Sequence, residues 1–420
     1  MKRRNYLVAV YIVGSLLLLL EMQFPIKLWP RAHNDLQTTK QLHMSEVTTT
    51  KQLHMSEVTT TKQLHMSEVM TNEGSSKTES DSESNNRERK YDSNDGHKTI
   101  SSRNISKSLY EFASNVFDAV PVTFLPEFKN PCWRSQLSDK GGTSSPLMCL
   151  PYFFLAGMPK CGTTDIHTKL HKHPQIVRPA AKEPHWWTRR RFTGMSLRKY
   201  LRQINGAKHW KGSDSMMITG DSSAATFFET RGLSEVGPSH VNAEFIHAVL
   251  PNSKIIVTFR DPVQRSYSRF RFMGRPAHDS QGPSVFHSQV VQELNLFKLC
   301  QATKDNRTCA YRPDTGKTKR GCYSIFLRDW LNFYPRDQIK VIRMEDWQTN
   351  CTQILPQLFE FLQLRKLDSA VIEQACRRKV NVNRRKHKPM LPETMRLLKE
   401  FYRPFNVELA LMLNDDKYLW

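Results

Sequence analysis

The sequence predicts an α/β fold in which a parallel β-sheet is flanked by helices. From residue 152 onwards, short apolar and β-branched runs alternate with helix-like segments, as in parallel sheets with helical connections. A glycine-punctuated turn follows the first predicted strand, and a basic segment follows a later one. Ligands of parallel sheets bind beyond the carboxyl ends of the strands, so these two segments are expected to form one site.

The predicted elements alternate along one large domain over residues 110–420. The strands are predicted at Tyr152–Ala156, Met216–Thr219, Lys254–Phe259 and Ile339–Ile342. The helices are predicted at Asp165–His171, Val241–Leu250, Tyr323–Phe333, Leu355–Leu362 and Pro392–Tyr402. A polar insertion is expected between the third strand and the helix at Tyr323.

The glycine-punctuated turn, Gly157–Thr164, has the composition of a phosphate-binding loop. Gly157 and Gly162 permit a sharp turn, so that amides at the start of the next helix face an anion beside the ammonium of Lys160. The glycine spacing is that of a Walker loop, but Thr163 stands where the Walker lysine would follow the second glycine. This departure argues against an ATPase, a GTPase or a P-loop kinase. A purely structural turn ahead of an ordinary helix is the alternative.

A second anion site is predicted after the third strand. Asp261 is suited to cap a helix and Pro262 to occupy its first turn, which leaves Arg260 at the exit of the strand. One face of that helix then carries two guanidiniums and a hydroxyl, which suit a phosphate monoester. These residues are Arg265, Ser268 and Arg269. The alternative is a solvated basic helix face.

The positive charge of the chain lies in the predicted domain. The 420 residues carry a net charge of +22, and up to Val120 the 15 Lys and Arg nearly balance 14 Asp and Glu, so +21 lies beyond Val120. A polyanionic partner follows from this charge: nucleic acid, an acidic membrane surface or a sulfated polysaccharide.

The N-terminus predicts entry into the secretory pathway. Basic residues at positions 2–4 precede a mostly apolar segment over residues 6–26, which is expected to be a signal-anchor transmembrane helix behind a cytosolic tail of residues 1–5. A cleaved signal peptide is the alternative. In either case the domain lies outside the cytosol, which argues against nucleic acid as the partner.

Residues 27–109 are predicted to be a disordered lumenal stem. An 11-residue unit begins at Lys40, Lys51 and Lys62 and fills residues 40–70, and a tract rich in Ser, Asn and charged residues follows. Eleven is also the period of a right-handed coiled coil, but three threonines in each unit and few apolar positions disfavour a helix. The stem is expected to hold the domain away from the membrane.

The eight cysteines and three glycosylation sequons fit an oxidising lumen. Local disulfides are plausible, although spacing alone leaves the pairing open. The plausible pairs are Cys132 with Cys149, Cys300 with Cys309, and Cys351 with Cys376. Cys161 is expected to be a free small residue, and no His and Cys cluster has zinc-ligand spacing, so no metal is predicted. The acceptor asparagines of the sequons are Asn104, Asn306 and Asn350.

Five motifs in this order resemble those of the Golgi carbohydrate sulfotransferases. They are the loop Gly157–Thr164, the run Lys182-Glu183-Pro184-His185-Trp186-Trp187, the spacing of Arg260 and Ser268, Gly321 and Tyr323 before Leu327–Leu331, and Phe401–Asn406. The resemblance covers residues 131–420 and leaves the stem uncovered. It implies the fold of the sulfotransferases that depend on 3′-phosphoadenosine 5′-phosphosulfate (PAPS), a P-loop-like parallel sheet flanked by helices.

The resemblance also implies that PAPS lies across both anion sites. Its 5′-phosphosulfate is expected on the loop and its 3′-phosphate on Arg260 and Ser268, while Lys160 neutralises the leaving phosphate oxygen. A basic loop at 383–389 is expected to close over the donor, or else to bind the acceptor. The residues expected to contact the donor are Lys160, Cys161, Gly162, Thr163, Thr164, Arg260, Ser268, Tyr323, Arg384 and Arg385.

Glu183 is the candidate base that takes the proton of the acceptor hydroxyl. It resembles the catalytic glutamate of the family, and Pro184 keeps it out of helical geometry. Lys182 and His185 flank it and are expected to orient it or to meet a sulfate of the acceptor. Together with Lys160 they complete the expected catalytic set. A surface salt bridge between Lys182 and Glu183 is the alternative.

The sequence assigns no definite role to the tryptophan pair after His185 or to the run that begins at Asp221. Trp186 and Trp187 are expected in the core, or one of them against a sugar ring. The run Asp221-Ser222-Ser223 stands where relatives carry a different motif near the acceptor, so a role for Asp221 is doubtful.

The resemblance implies transfer of a sulfuryl group to a sugar hydroxyl of a glycosaminoglycan, at the 6-O position of 4-sulfated N-acetylgalactosamine in chondroitin or dermatan sulfate. A heparan sulfate O- or N-sulfotransferase and a catalytically inactive glycosaminoglycan-binding protein are the alternatives. The expected protein is a single-pass type II Golgi membrane protein with a lumenal catalytic domain, a sulfated glycosaminoglycan as acceptor and no nucleic acid as partner. The oligomeric state is left open.

Overall fold

The structure is a computed structural model that describes residues 100–135, 146–205, 214–234, 236–273, 282–380 and 388–420. The predicted tail, the predicted anchor and the stem up to residue 99 lie outside these residues. Within them, no helix combines the length and the apolar character that crossing a bilayer requires. Residues 100–103 are helical, and the next helix begins at Lys107, three residues before the predicted start of the domain.

The strands of the described residues form one parallel sheet and two small antiparallel pairs. In chain order they are β1 (Cys132–Arg134), β2 (Leu147–Cys149), β3 (Phe153–Gly157), β4 (Gly220–Asp221), β5 (Leu233–Ser234), β6 (Gly237–Pro238), β7 (Lys254–Phe259) and β8 (Ile339–Arg343). The parallel sheet has the spatial order β4-β3-β7-β8, and β1 pairs with β2 and β5 with β6. The longest strand of the sheet, β7, is the β-branched run predicted from the sequence.

Helices connect the strands and follow them. In chain order they are α1 (Lys107–Phe117), α2 (Thr163–Leu170), α3 (Leu197–Ile204), α4 (Asn242–Val249), α5 (Pro262–Met273), α6 (Gly282–Gln301), α7 (Asn306–Tyr311), α8 (Tyr323–Leu331), α9 (Met344–Thr349), α10 (Cys351–Phe361), α11 (Ser369–Arg377) and α12 (Pro392–Leu413). Short 3₁₀ turns lie at Arg190–Thr193, Thr318–Gly321, Arg336–Gln338 and Asp416–Tyr418.

Alternate residues of the sheet enter two hydrophobic cores. Phe154 and Ala156 of β3 belong to one core, which also contains buried residues of α1, α3, α4, α8 and α12. Phe153 and Leu155 belong to the other core, together with buried residues of α2, α9, α10 and α11. Because successive side chains of a strand point to opposite faces, helices cover both faces of the sheet. The predicted parallel sheet flanked by helices is confirmed.

The sheet brings the ends of β3 and β7 side by side. The two strands are parallel neighbours, and Gly157 pairs with Val257 near their carboxyl ends. The loop after β3 and Arg260 after β7 therefore leave the same edge of the sheet. Asp221, at the end of β4, pairs with Phe154 on the other side of β3.

The second predicted strand, Met216–Thr219, is wrong in position. The strand is Gly220–Asp221, while Ile218 forms a single bridge with Ile176. Packing sets this register, because a Cβ atom at Gly220 would lie 2.2 Å from the ring of Phe153. The side chain of Phe153 occupies the space that any other residue at Gly220 would need.

The predicted polar insertion consists largely of helices, of which only the first was predicted. Helices α5, α6 and α7 occupy it, and α6 alone has 20 residues. The buried residues of α6 include Phe286, Val290, Glu293 and Phe297, which repeat with helical spacing. The late helix also continues beyond its predicted end at 402 to Leu413, and Phe405 and Leu409 of this extension lie in the core.

The three plausible disulfides are all present. They join Cys132 to Cys149, Cys300 to Cys309, and Cys351 to Cys376. Cys161 is free and buried, as expected, and so is Cys322. Three disulfides in one domain fit an oxidising compartment.

Candidate active site

The loop after β3 is held against the neighbouring strand β7. The amide of Met158 donates to the carbonyl of Thr258 at 2.9 Å, and the hydroxyl of Thr258 donates to the carbonyl of Cys161. Gly162 ends the loop with a φ of +82°, which favours glycine, and serves as the N-cap of α2. The first amides of a helix have no partner within it, so this end of α2 offers hydrogen-bond donors to an anion.

The loop residues predicted to contact the donor differ in how deeply their side chains are buried. The side chain of Cys161 is fully buried, and its amide donates to the carbonyl of Met158 at 3.2 Å. Burial raises the pKa of the Cys161 thiol to about 12, so the thiol stays protonated at neutral pH. Thr163 is buried and Thr164 is half-buried at the start of α2.

The structure brings Lys160 and Arg260 together. The Arg260 Nη1 donates to the carbonyl of Lys160 over 3.5 Å, although the two residues are 100 positions apart. The carbonyl of Arg260 in turn accepts a hydrogen bond of 2.9 Å from the hydroxyl of Tyr323. The ring of Tyr323 is buried and stacks on Phe259 with 4.6 Å between centroids. Tyr323 therefore positions Arg260 from within the core.

The ammonium of Lys160 lies in a strongly charged environment. Its Nζ lies 3.8 Å from the centroid of the Phe272 ring on α5. Burial lowers the pKa of Lys160, the guanidiniums of Arg260 and Arg269 lower it further, and the carboxylate of Glu183 opposes them. The charges of Glu183, Arg260 and Arg269 therefore act on the ammonium of Lys160.

Glu183 lies between the side chains of Lys182 and His185. Lys182 Nζ contacts one carboxylate oxygen of Glu183, and His185 Nε2 lies 3.4 Å from the other. The hydrogen bond from His185 and the charge of Lys182 lower the pKa of Glu183 to about 2, against the opposing effect of burial. Glu183 and His185 have positive φ values of 60° and 50°. Strained backbone of this kind is concentrated at functional sites.

A chain of hydrogen bonds joins the segment that contains Glu183 and His185 to Asp221 and Tyr200. The amide of His185 donates to the hydroxyl of Ser223 at 2.9 Å, and the amide of Ser223 donates to Asp221 Oδ1 at 2.8 Å. The hydroxyl of Tyr200 donates to Asp221 Oδ2 at 2.8 Å and accepts from Trp187 Nε1 at 2.8 Å. Asp221, whose role was doubtful from the sequence, therefore positions the segment that carries Glu183.

The two tryptophans of this segment belong to the core. Trp186 and Trp187 are each 1% exposed, and Trp186 stacks on the ring of Tyr200 with 4.8 Å between centroids. The core interpretation is confirmed, and neither ring is placed to stack on a sugar.

His167 is a site residue that the sequence analysis missed. It lies on α2, and its Nδ1 lies 2.8 Å from the hydroxyl of Ser222. Burial lowers the pKa of His167 to about 3, and nearby cations that include Lys182 lower it further, while Glu183 opposes them. The ring is therefore neutral at neutral pH. Its position one turn after Thr164 on the helix was the signal available in the sequence.

The expected basic face of α5 is wrong at Arg265. Arg265 is fully buried, whereas Ser268 and Arg269 are half-buried on the same helix. The first turns of α5 pack into the core through residues such as Tyr267, so Arg265 lies deeper than the residues that follow it. The helix start is confirmed, because Asp261 Oδ1 accepts from the amide of Val263 at 2.9 Å.

Arg384 and Arg385 lie outside the described residues, but both neighbouring segments are anchored. The amide of Val380 donates to Asp165 Oδ1 on α2 at 2.6 Å. The carbonyl of Lys388 accepts from the hydroxyl of Tyr267 on α5 at 2.7 Å. The anchoring residues Asp165 and Tyr267 lie on α2, which follows the loop, and on α5, which follows Arg260.

Two further predictions concern the glycosylation sequons and metal binding. The three sequon asparagines are exposed: Asn104, Asn306 and Asn350. In the described part of the chain, no group of three or more His, Cys, Asp and Glu side chains is arranged to hold a metal ion.

The fold brings the loop with its internal lysine and the arginine after the neighbouring strand to one edge of the sheet, and these two cationic groups suit a ligand with two anionic ends. The chain belongs to the sulfotransferase family, because the model of that family matches residues 151–368. It is an enzyme of the PAPS-dependent sulfotransferase class, and the resemblance drawn from the motifs is confirmed.

Several relatives are similar over much of the chain. Carbohydrate sulfotransferase 15 of Homo sapiens is 29% identical over 382 residues, which covers 73% of this chain and 67% of that protein. The bifunctional heparan sulfate N-deacetylase/N-sulfotransferase 2 of Homo sapiens is 25% identical over 256 residues, covering 60% and 26%. The crystal structure of a sulfotransferase from Alicyclobacillus acidocaldarius is 20% identical and covers 64% of this chain and 97% of that one. Its TM-score of 0.44 is too low for residue-by-residue comparison.

Proposed function

We propose that this protein transfers a sulfuryl group from PAPS to a glycosaminoglycan, at the 6-O position of 4-sulfated N-acetylgalactosamine in chondroitin or dermatan sulfate. The observation that carries the proposal is the meeting of Lys160 and Arg260 at one edge of the sheet, with Glu183 close enough for its charge to act on Lys160. The similarity to carbohydrate sulfotransferase 15 supports a carbohydrate acceptor.

The residues present fit a donor with two anionic ends. The ammonium of Lys160 and the amides at the start of α2 suit the 5′-phosphosulfate, with Thr163 and Thr164 beside them. Arg260 and Ser268 suit the 3′-phosphate, because a guanidinium and a hydroxyl both donate to phosphate oxygens. Contacts of Arg384 and Arg385 with the donor remain a prediction, which the anchoring of Val380 and Lys388 beside the site supports.

In the proposed reaction, the oxygen of the acceptor hydroxyl attacks the sulfur of the donor. A new S–O bond forms to the sugar, the S–O bond to the 5′-phosphate breaks, and the hydroxyl proton passes to Glu183. Lys160 stabilises the negative charge that develops on the departing phosphate oxygen. The products are the sulfated sugar and adenosine 3′,5′-bisphosphate.

The contacts of Glu183 keep it ionised and also weaken it as a base. Its pKa of about 2 means that the carboxylate is ionised throughout the neutral range. The same contacts make it a weak base, so acceptance of a proton requires that Lys182 or His185 move away from the carboxylate. We infer that a sulfate of the acceptor draws Lys182 towards itself and so strengthens the base.

The charge of the chain suits a polyanionic acceptor. Beyond Val120 the net charge is +21, and binding to a sulfated chain is expected to weaken steeply with salt. The proposed location is the Golgi lumen, with residues 6–26 as anchor, residues 27–109 as stem, and glycans on Asn104, Asn306 and Asn350. The disulfides and the exposure of the three asparagines support this location.

The experiment is transfer of labelled sulfate from PAPS to separate chondroitin, dermatan and heparan sulfate chains, followed by identification of the labelled disaccharide. We expect label at the 6-O position of 4-sulfated N-acetylgalactosamine. Label on heparan sulfate alone would change the acceptor and leave the reaction intact. Binding of the chains without any transfer would instead support a catalytically inactive glycosaminoglycan-binding protein.

A further inference from the structure

Three guanidiniums that the proposed reaction does not use lie close together. They belong to Arg189, to Arg269 on α5 and to Arg320 in the turn at Thr318–Gly321. Burial lowers the pKa of Arg320 to about 10, and the charges of Arg269 and Arg189 are among those that lower it further. Burial also lowers the pKa of Arg269, with a further contribution from Arg189. The three residues are called the arginine cluster below.

Two members of the arginine cluster contact the same short segment, Phe228 and Glu229. Arg189 Nε donates to Glu229 Oε2 at 2.6 Å. The Cζ atom of Arg320 lies 4.8 Å from the centroid of the Phe228 ring. Because Phe228 and Glu229 are consecutive, these contacts hold the guanidiniums of Arg189 and Arg320 on neighbouring residues.

Arg269 and Arg320 have nitrogens that are open to a ligand. Neither guanidinium makes an ion pair or a side-chain hydrogen bond with the residues that the structure describes, whereas that of Arg189 has Glu229. Both side chains are half-buried, and none of their nitrogens is both buried and unpartnered. These nitrogens therefore reach solvent, in contrast to Nε and Nη1 of Arg265, which are enclosed.

A nearby carboxylate is already engaged elsewhere. Glu293 raises the pKa of Arg269 through its charge. Its Oε2 accepts from the amides of Lys317 and Thr318 at 2.9 and 2.7 Å, and its Oε1 accepts from Gln289 at 2.8 Å. Glu293 thus leaves the hydrogen-bond donors of Arg269 to an external anion.

The arginine cluster adjoins the candidate catalytic residues on two sides. The amide of Arg189 donates to the carbonyl of His185 at 3.0 Å, which fixes Arg189 beside the segment of the candidate base. Arg269 lies one turn before Phe272 on α5, and the Lys160 ammonium lies 3.8 Å from the centre of that ring. The charge of Arg269 also lowers the pKa of Lys160. A sugar that reacts between Lys160 and the candidate base therefore has the cluster beside it.

The proposed acceptor carries two kinds of anion. The reacting sugar carries a sulfate, for which the proposed function uses Lys182, and the neighbouring uronic acids carry carboxylates. A guanidinium matches a carboxylate through two parallel N–H bonds. Arg189 already binds one carboxylate of the protein, that of Glu229. The chemistry of the arginine cluster therefore suits a uronate.

We propose that the arginine cluster binds the carboxylate of the uronic acid next to the sugar that is sulfated, with the open nitrogens of Arg269 and Arg320 as its donors. Binding there would place the reacting hydroxyl and select chains that carry a uronate at this position. The inference rests on the proposed function, which supplies the acceptor. A sulfate of the acceptor is the other possible anion, and the transfer experiment below distinguishes the two.

The first experiment measures acceptor binding without catalysis. The full chain is saturated with adenosine 3′,5′-bisphosphate, and its affinity for oligosaccharides of 4-sulfated chondroitin is compared with that for the same oligosaccharides after reduction of their carboxyl groups to alcohols. The wild type is expected to bind the reduced oligosaccharides at least about tenfold more weakly. Arg269→Gln and Arg320→Gln should bring this ratio towards one. The control Arg396→Gln, which removes an exposed guanidinium on α12, should keep the wild-type ratio.

Two results of the binding experiment would overturn the proposal. One is equal affinity of the wild type for native and reduced oligosaccharides, and the other is a wild-type ratio in both cluster variants. Should these variants fail to fold, Arg189→Gln takes their place, because the side chain of Arg189 is 45% exposed and tolerates exchange. A wild-type ratio in Arg189→Gln then counts against the cluster.

The second experiment uses transfer to distinguish the carboxylate from the sulfate. Arg269→Gln is expected to lower kcat/KM by the same factor, at least about tenfold, for 4-sulfated and for unsulfated chondroitin, because both carry the uronate. A loss confined to the sulfated chain would assign the cluster to the sulfate and overturn the proposal. An equal loss on native and carboxyl-reduced chains would show that Arg269 acts only through the charge of Lys160, which also overturns it. A wild type that transfers to none of these chains would refute the proposed function, and the binding ratio would still report on the cluster.

Discussion

The ammonium of Lys160 lies 3.8 Å from the centre of the Phe272 ring, and that ring is 68% exposed. The lysine of the loop after β3 is therefore held by an aromatic residue on the helix that follows Arg260. An exposed cation–π contact of this kind contributes about 0.5–1 kcal/mol. It links the two halves of the proposed donor site through side chains, in addition to the contact between Arg260 and the backbone of Lys160.

Phe272→Leu is expected to lower kcat about two- to fivefold, because the apolar bulk remains but the attraction of the ring for the Lys160 ammonium is lost. Phe272→Tyr keeps the aromatic face and should retain the wild-type rate. Steady-state transfer at saturating PAPS measures both. Equal rates for the leucine and tyrosine variants would show that the ring does not position Lys160.

Lys160→Ala and Glu183→Gln should each abolish transfer, with a loss of at least about 10²–10⁴-fold, because one removes the cation at the leaving group and the other the base. Glu183→Gln is expected to bind adenosine 3′,5′-bisphosphate like the wild type, as measured by the nucleotide-induced rise in Tm. Full activity of Glu183→Gln would exclude Glu183 as the base.

Lys182→Met should move the acid limb of the rate profile to higher pH. The partners of Glu183 lower its pKa to about 2. Its ionised form therefore stabilises the folded protein at pH values above the ordinary pKa of a glutamate. This stabilisation is lost as the pH falls towards about 2. Removal of the Lys182 charge lets the pKa rise towards the ordinary value. The measurement is kcat/KM between pH 3 and 8, and an unmoved acid limb would contradict the assignment.

Tyr200→Phe should destabilise the fold by about 1–3 kcal/mol, because it leaves Asp221 Oδ2 and Trp187 Nε1 buried without the shared hydroxyl. Denaturant unfolding measures this loss. If the network positions Glu183, kcat should fall as well, while the KM for PAPS stays near the wild-type value. Ser223→Ala, which removes the acceptor of the His185 amide, should show the same split with a smaller loss of stability.

Alkylation should distinguish the free cysteines from the disulfides. Burial raises the pKa of the Cys161 thiol to about 12 and that of Cys322 well above its ordinary value, so both thiols are protonated and shielded. The native protein is expected to take up no iodoacetamide and to remain active. Mass spectrometry after denaturation without reduction should find two labels, on Cys161 and Cys322, and more than two would contradict the disulfide pairing.

The sequence was sufficient to predict those features that depend on residues next to one another in the chain, such as a helix start or a strand. Asp261 and Pro262 start α5 where their capping chemistry predicted, and the run Lys254–Phe259 forms the longest strand of the parallel sheet. The plausible local disulfide pairs, which are separated by 9 to 25 residues, are those that form, although spacing alone left the pairing open. Helix α6 was missed, because its polar surface obscured the helical spacing of residues such as Phe286 and Val290.

By itself, the sequence determined the glycine-punctuated loop after the first predicted strand, the arginine at the exit of the neighbouring strand and the family, because each depends on residues that lie close together along the chain. Only the tertiary structure decided that Arg265 is buried without a full set of partners and that Asp221 supports the segment of Glu183. It also placed the Lys160 ammonium on Phe272. These relationships join residues far apart in the sequence, and close packing of the two helical layers on the sheet determines which of them meet.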